Sequence, residues 1–254
     1  MADADILEVE GAERHLSDGQ RRSEIRLEHL SFAPGQVRAL CGPSGIGKTT
    51  ALEMLSLARA PDIAGRMVLR TPDRSVDLHG LVDRNGREAL CAIRGRYFGY
   101  VVQSAHLFPF LTVRENIALA QRISGRHDRG FLDRLMDQLQ ISSLAASLPT
   151  RLSGGQRQRV CVARALAHRP LIVLADEPTS SVDREVANRI MSLLTAYALE
   201  TNAAVLVITH DVDLVESFGL AGLKVESNAS QGLLRTVIAD RAIASTTVAA
   251  TGGG

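Results

Sequence analysis

Residues 42–50 read Gly42-Pro43-Ser44-Gly45-Ile46-Gly47-Lys48-Thr49-Thr50. They fit the pattern G-x-x-x-x-G-K-[ST], in which a glycine-rich loop leaves a strand and opens a helix. Immediately upstream, Val37 to Cys41 form a short, mostly apolar run suited to a strand, and Thr49 to Ala58 are expected to continue as a helix. The glycines let the backbone turn with its N–H groups facing inward, and the helix N-terminus adds the positive end of its dipole, so the loop is suited to cradle a phosphate chain. Lys48 would neutralise the β- and γ-phosphates of a nucleotide, and the Thr49 hydroxyl is a natural ligand for the accompanying Mg²⁺. The chain has only two lysines, Lys48 and Lys224, against 27 arginines. Lysine at this position therefore argues for a compact ammonium.

A second element lies far downstream. Leu171-Ile172-Val173-Leu174-Ala175 is an apolar run of the kind that forms a strand buried on both faces, and it ends in Asp176-Glu177 before a proline. Open α/β sheets bind ligands at the carboxyl ends of their strands. There Asp176 would hold Mg²⁺ through water, and Glu177 would polarise an attacking water as general base. Two acids after a strand are explained as readily by surface solubility; the phosphate loop upstream favours the functional reading.

Residues 152–156 read Leu152-Ser153-Gly154-Gly155-Gln156 and continue as Arg157-Gln158-Arg159-Val160-Cys161-Val162-Ala163-Arg164-Ala165-Leu166. A serine and two glycines at the start of a helix form an anion site in their own right, and alone they would be read as an ordinary helix cap. Together with the phosphate loop and the two acids, this run resembles the ATP-binding cassette (ABC) family of transport ATPases, over about residues 6–238. The resemblance implies an α/β P-loop NTPase with a mostly parallel core sheet, an N-terminal antiparallel β part and an inserted α-helical lobe. The ATPase domain would take residues 1–243, with the lobe at about 104–165. The resemblance also implies an ATPase using ATP and Mg²⁺ that packs head to tail with a second copy of itself. Ser153, Gly154, Gly155 and Gln156 would then face the γ-phosphate held by the phosphate loop of the other copy.

Further positions match the family one by one. Gln103, after the apolar strand Tyr100-Val101-Val102, looks like the loop glutamine that reaches the metal and the attacking water. His210, after Val205-Leu206-Val207-Ile208-Thr209, resembles the switch histidine at the γ-phosphate. Asp183, in Ser180-Ser181-Val182-Asp183, corresponds to a loop that crosses the dimer interface, where a plain helix N-cap is the alternative. The family places an aromatic residue upstream of the phosphate loop to stack on adenine, and His15 in Arg14-His15-Leu16 falls there; imidazole offers less stacking surface than tyrosine.

The resemblance further implies an integral-membrane permease as partner, with this chain cytoplasmic and peripheral on the inner face of the cell membrane. Ile93-Arg94-Gly95-Arg96-Tyr97-Phe98-Gly99-Tyr100-Val101-Val102-Gln103 resembles the branch serving lipoprotein release, macrolide export and the cell-division complex, whose permeases transmit force outward. Ser180-Ser181-Val182-Asp183 instead leans towards the Ser-Ala-Leu-Asp of many nutrient importers, away from that branch's Gly-Asn-Leu-Asp. An importer subunit therefore stays open, as does an ATP-dependent scaffold or regulatory subunit of an envelope or division complex. The segment Ser104-Ala105-His106-Leu107-Phe108-Pro109-Phe110-Leu111 is unusually apolar for a loop. It reads either as buried under the lobe or as the edge of a groove for a permease helix.

The remaining composition sets bounds. A length of 254 residues suits one large α/β domain, and a net charge of +1 with no basic stripe or interleaved aromatics gives no support for nucleic-acid binding. Cys41, Cys91 and Cys161 are too far apart for a metal or redox motif and read as small core residues. No apolar stretch approaches the roughly 18 residues of a membrane span, and Met-Ala-Asp-Ala-Asp carries no charged-then-apolar leader pattern. Residues 6–42 are expected to be β-rich, with two short strands turning at Gly19 and a second turn at Pro34-Gly35. A strand near Met67–Leu69 precedes a long exposed connection through residue 92. Leu132, Leu135, Met136 and Leu139 recur at helical spacing as lobe core, and 184–200 reads as an amphipathic helix. Short strand-like pieces fall around 228–232, and 244–254 reads as a disordered tail.

Overall fold

The computed structural model describes residues 4–17, 22–63, 65–83, 86–230 and 233–240. In chain order the strands are β1 (Leu7–Ser17), β2 (Arg22–Phe32), β3 (Val37–Cys41), β4 (Arg66–Arg70), β5 (Ser75–Asp77), β6 (Phe98–Val101), β7 (Ile172–Asp176), β8 (Ala204–Thr209), β9 (Ala221–Gly222), β10 (Lys224–Ser230) and β11 (Leu233–Ala239). The α-helices are α1 (Lys48–Leu55), α2 (Leu78–Asp83), α3 (Arg87–Tyr97), α4 (Val113–Ser124), α5 (Arg129–Gln138), α6 (Gly154–Leu166), α7 (Arg184–Thr201) and α8 (Val212–Ser217).

Strands β7 and β8 are apolar on both faces, and every residue in them is buried. That pattern demands cover on both sides, and a parallel sheet with helical crossovers provides it. The five-stranded sheet runs β6-β7-β8-β3-β9 with every pair parallel. Because side chains alternate along a strand, the sheet feeds two cores. Ile172, Leu174, Leu206 and Ile208 join Leu52, Met54 and the inner face of the second sheet. Val173, Ala175, Val205 and Val207 join Val162 of α6, Leu194 of α7 and the lobe residues Leu132, Leu135, Met136 and Leu139. The second sheet has six strands in the order β10-β11-β2-β1-β4-β5, antiparallel except where β11 runs parallel to β2.

The lobe helices begin on strong caps. Thr112 and Glu115 form a capping box at α4, Asp128 accepts from the Phe131 N–H at α5, and the apolar faces then pack together. A buried ion pair joins the two sheets: Arg38 of β3, 6% exposed, pairs with Asp240 and donates to the Ser31 carbonyl at 3.1 Å. Asp240 also accepts from the Ser31 N–H at 2.8 Å and its hydroxyl at 3.0 Å.

Several local expectations change. The helix after the phosphate loop ends at Leu55 rather than Ala58, because Leu57 turns left-handed at φ 59°. Strands β1 and β2 have eleven residues each rather than being short, and the Gly19 turn lies outside the described residues. The stretch from 62 to 92 is no long exposed connection: it holds β4, β5, α2 and the start of α3, whose Leu78, Leu90 and Ile93 are buried. The strand-like pieces after Leu223 are one antiparallel hairpin, β10 and β11, of seven residues a side, with Gly232 and the 244–254 tail outside the described residues. Of the three cysteines only Cys161 is buried; Cys41 is half-buried, and Cys91 is exposed because the apolar stripe of α3 runs through Leu90, Ile93 and Tyr97. Among the described residues no helix is long and apolar enough to cross a membrane.

His168, just beyond α6, is 4% exposed and holds Nε2 at 3.0 Å from the Phe98 carbonyl of β6. Burial lowers its pKa from 6.5 to about 4; the carbonyl pulls upward and nearby Arg126 pushes further down. A depressed pKa makes the neutral ring a source of stability above pH 6.5, and that stability is lost as pH falls through about 4. The loss across this window is about 3 kcal/mol. Urea titrations at neutral pH and near pH 4 should show the wild type losing about 3 kcal/mol more than His168→Gln. Equal losses would remove His168 as the cause.

Candidate active site

The carboxyl ends of four adjacent parallel strands meet at one place. The phosphate loop leaves β3, Asp176 and Glu177 end β7, His210 follows β8, and Gln103 follows β6. All but His210 contribute to a cavity of about 330 Å³ lined by Ser44, Gly45, Gly47, Lys48, Thr49, Thr50, Gln103, Asp176 and Glu177, together with Leu16, Ser23 and Ile25.

The loop's shape follows from its glycines. Gly47 caps α1 in a left-handed conformation at φ 96°, and a Cβ there would stand 2.5 Å from Ile25 Cγ1. Ile46 folds over Gly42 so closely that a Cβ on Gly42 would stand 2.7 Å from its Cδ1. Lys48 is 8% exposed, and its ammonium donates to the Gly42 and Pro43 carbonyls, each at 2.7 Å. The side chain is thereby held against its own loop, with its charge at the cavity wall.

The acids are held by their neighbours. Thr49 Oγ1 donates to Asp176 Oδ2 at 2.8 Å. Burial raises the pKa of Asp176, the Thr49 hydrogen bond lowers it, adjacent Glu177 raises it and Lys48 lowers it, for a net rise. Glu177 takes a left-handed backbone at φ 48°, rare for a non-glycine residue, and its N–H donates to the Ile208 carbonyl of β8 at 2.9 Å. Its carboxylate lies with both oxygens 3.0 Å from His210 Nδ1, so that nitrogen carries the proton it donates. The neighbouring Asp211 caps α8 and pairs with Arg184 at 2.8 Å, fixing the turn that carries His210.

Other residues singled out in the sequence lie elsewhere. Ser153 caps α6, with its hydroxyl accepting from the Gln156 N–H at 3.2 Å and the Gln156 side chain accepting from the Ser153 N–H at 2.8 Å. Gly154 opens that helix, and Gly155 packs so tightly that an added Cβ would stand 3.2 Å from Val182 Cγ1. None of these four lines the phosphate cavity of its own chain. Asp183 caps α7, accepting from the Val186 N–H at 2.9 Å. His15 is half-exposed and faces away from the cavity, with Asp62 accepting from its N–H at 2.7 Å. The cavity wall is instead Leu16, with Ser23 opposite it on β2. Strand alternation puts one of two successive residues on each face, and Ala12 and Leu16 share the inward phase.

A glycine-rich loop on a helix N-terminus, a lysine against it and a strand-end acid bonded to the loop threonine define a P-loop nucleoside triphosphatase. The sequence pattern of the ABC transporter family matches residues 26–180. The lipoprotein-releasing system ATP-binding protein LolD 1 of Rhodopirellula baltica is 35% identical over 208 residues, covering 78% of this chain and 84% of that protein. Its counterpart LolD of Granulibacter bethesdensis is 37% identical over 206 residues, covering 80% and 86%. The macrolide export ATP-binding/permease protein MacB 1 of Aeromonas hydrophila is 33% identical over 220 residues, covering 83% of this chain and 32% of that longer protein. Among solved structures, the dimeric bacterial ABC transporter cassette MJ0796 superimposes with a TM-score of 0.71 at 29% identity, covering 83% of this chain and 90% of that one. Its post-hydrolysis dimer bound to ADP and Pi superimposes with a TM-score of 0.67 at 28% identity, covering 82% and 89%. The chain belongs to the ABC transporter family, as an ATP-binding subunit and ATPase.

Gly47→Ala should lower affinity for a fluorescent ATP analogue by about tenfold or more, since alanine is strained at this φ and displaces Ile25. Unchanged affinity would mean the loop reshapes without loss.

Proposed function

We propose that this chain is the engine of a lipoprotein-release or export type of ABC transporter, hydrolysing ATP as a head-to-tail homodimer on the inner face of the membrane and driving a separate permease. The observation that carries the reading is the division of the site. Lys48, Thr49, Asp176, Glu177 and Gln103 share one cavity, while Ser153 to Gln156 point from the start of α6 outside it. A second copy brings those N–H groups to the γ-phosphate and completes the site. The dimeric cassettes to which this chain is similar support that arrangement.

Within the site the roles divide by chemistry. The loop N–H groups and Lys48 bind the phosphate chain. Glu177 takes the proton from the attacking water as its oxygen bonds to the γ-phosphorus and the bond to the β–γ bridging oxygen breaks, releasing ADP; His210, bonded to both carboxylate oxygens, fixes the orientation of Glu177. Thr49, Asp176 and Gln103 offer a hydroxyl, a carboxylate and an amide oxygen, an all-oxygen donor set that suits Mg²⁺. The fit is consistent with the buried Asp176, whose carboxylate has, among the described residues, the Thr49 hydroxyl as its one hydrogen-bond partner and gains from a cation. Bound there, Mg²⁺ supplies charge neutralisation for the β- and γ-phosphates. Asp183, beside the Gly155–Val182 contact, belongs to the face where the two copies meet. Loss of the γ-phosphate then loosens the dimer, a ligand-biased two-state switch.

The permease docks on the side of the apolar loop. Phe108 and Phe110 are 45% and 73% exposed, with their rings tilted against each other at 5.8 Å, so they are not buried under the lobe. Phe108 opens onto a separate groove that receives a helix of the permease.

A steady-state assay of phosphate release with Mg-ATP should find turnover nearly abolished in Lys48→Ala and in Glu177→Gln, by about a hundredfold or more. Normal rates in Glu177→Gln would end its assignment as base. The nucleobase rests on the aliphatic Leu16, so Leu16→Tyr should tighten ATP binding about five- to tenfold through stacking. An unchanged Kd would place the base elsewhere.

A further inference from the structure

Asn116 stands one turn into α4 and is closed to solvent. Its Oδ1 accepts from the Phe108 N–H at 2.8 Å, and its Nδ2 donates to the carbonyls of Phe108 at 3.1 Å, Leu111 at 2.9 Å and Thr112 at 3.0 Å. The amide thus clamps both backbone groups of Phe108, much as a neighbouring strand would, and ties the loop after β6 to the start of a helix. Because Asn116 is shut away from water, releasing the loop leaves its amide unpaired. The helix side of the clamp is fixed too, since Thr112 and Glu115 cap α4 in the same turn.

What the clamp controls lies upstream. Val101 at the end of β6 is buried in the core beneath the lobe, and Leu107 packs against the same core. Gln103 sits on the span between these two anchors, where the His106 N–H closes a tight turn on the Ser104 carbonyl. Among the described residues the Gln103 side chain has no hydrogen-bond partner of its own, yet it lines the phosphate cavity. Its direction therefore comes from the backbone that carries it, and a short span closed at both ends has few conformations in which to stray. Leu107 alone is a weak anchor, since an apolar contact has no preferred direction; the bonds from Asn116 to the next residue supply one.

We propose that Asn116 is a positioning residue for ATP hydrolysis: by clamping Phe108 to α4 it sets the reach of Gln103 at the phosphate cavity, which Asn116 itself does not line. The proposal rests on the reading of Gln103 as an oxygen donor to Mg²⁺ and adds the group that holds that donor in place. Small errors of placement are costly in such a site, because a donor displaced by about 1 Å no longer meets the ion or the reacting groups.

The test compares wild type, Asn116→Ala, Gln103→Ala, the double variant, and a chain with a Gly-Gly insertion between Ala105 and His106, which lengthens the span while leaving the clamp intact. Each is read for kcat of phosphate release and for the Mg²⁺-dependent gain in affinity for a fluorescent ATP analogue, taken as the ratio of Kd in EDTA to Kd in Mg²⁺. Asn116→Ala and the insertion should both lower kcat about tenfold or more and lose the Mg²⁺-dependent gain as far as Gln103→Ala does, with Kd in EDTA unchanged. The double variant should be no worse than Gln103→Ala alone, because a residue acting through Gln103 has nothing left to position once that side chain is gone. Multiplied losses in the double variant would give Asn116 a merely structural role and overturn the proposal. So would a wild-type gain and kcat in Asn116→Ala or in the insertion while Gln103→Ala is defective. If Gln103→Ala itself keeps both, the reading of Gln103 fails and the proposal with it. Where Asn116→Ala does not fold, the insertion and Gln103→Ala decide by the same two readings.

Discussion

The two central strands, β7 and β8, must be buried on both faces, and the rest of the molecule depends on that constraint. Every residue of both is closed to solvent, and all are apolar except the last of each, Asp176 and Thr209, so neither strand has a polar side. A parallel pair of this kind exists only with layers on both sides. One layer is α1 with the antiparallel sheet, and the other is α6, α7 and the lobe. Polar chemistry is confined to the strand ends, where the backbone leaves the apolar layer. Asp176, Glu177 and His210 occur there because it is the first place along these strands where a charge is tolerated.

That constraint made much of the molecule legible from its residues. The β3 and β7 runs, the phosphate loop and the α5 stripe are read from apolar period and glycine placement, signals that local sequence carries in full. The hydrogen bond between Thr49 and Asp176 joins residues 127 apart in sequence, yet it follows once both are placed at the ends of parallel strands. The 62–92 stretch is harder to read because its helices are short and bury few large side chains: Leu78 in α2, and Leu90, Ile93 and Tyr97 along α3. At the cavity wall the structure differs from the sequence reading by one residue: Leu16 lines the cavity and His15, on the other face of β1, does not. Strand phase there is set by pairing with β2, and both strands exchange their buried face near Gly11, where the backbone turns left-handed at φ 71°. A local reading has no access to that exchange, since buried Leu7 and Val9 give way to Ala12 without an inserted residue in the register.

The paired Arg38 and Asp240 show a different use of burial. Asp240 follows the last strand of the antiparallel sheet, whereas Arg38 lies in the strand that launches the phosphate loop. Their contact gains little net stability over an apolar pair, because Arg38 is desolvated and Asp240 partly so. Breaking it leaves an uncompensated guanidinium inside the protein. The ion pair therefore acts as a register pin between two sheets that share an apolar core, whose side chains slide more readily than hydrogen-bonded charges do.

The position of β6 gives the nucleotide site and the docking groove a shared boundary. Phe98 and Tyr100 line the groove, Val101 is packed in the lobe core, and Gln103, two residues beyond the strand, lines the phosphate cavity. The strand is only four residues long and sits at the edge of its sheet, paired on one side with β7 alone. An edge strand with one ladder shifts at a lower cost than β7 or β8, each clamped between two neighbours. Anything that fills the groove therefore presses on the strand that carries Gln103 into the nucleotide cavity. The reverse also holds by linkage: whatever shifts Gln103 in its cavity also shifts the groove. Two sites that share one short edge strand need no long chain of intermediaries to communicate, and here the separation between them is the length of the strand itself.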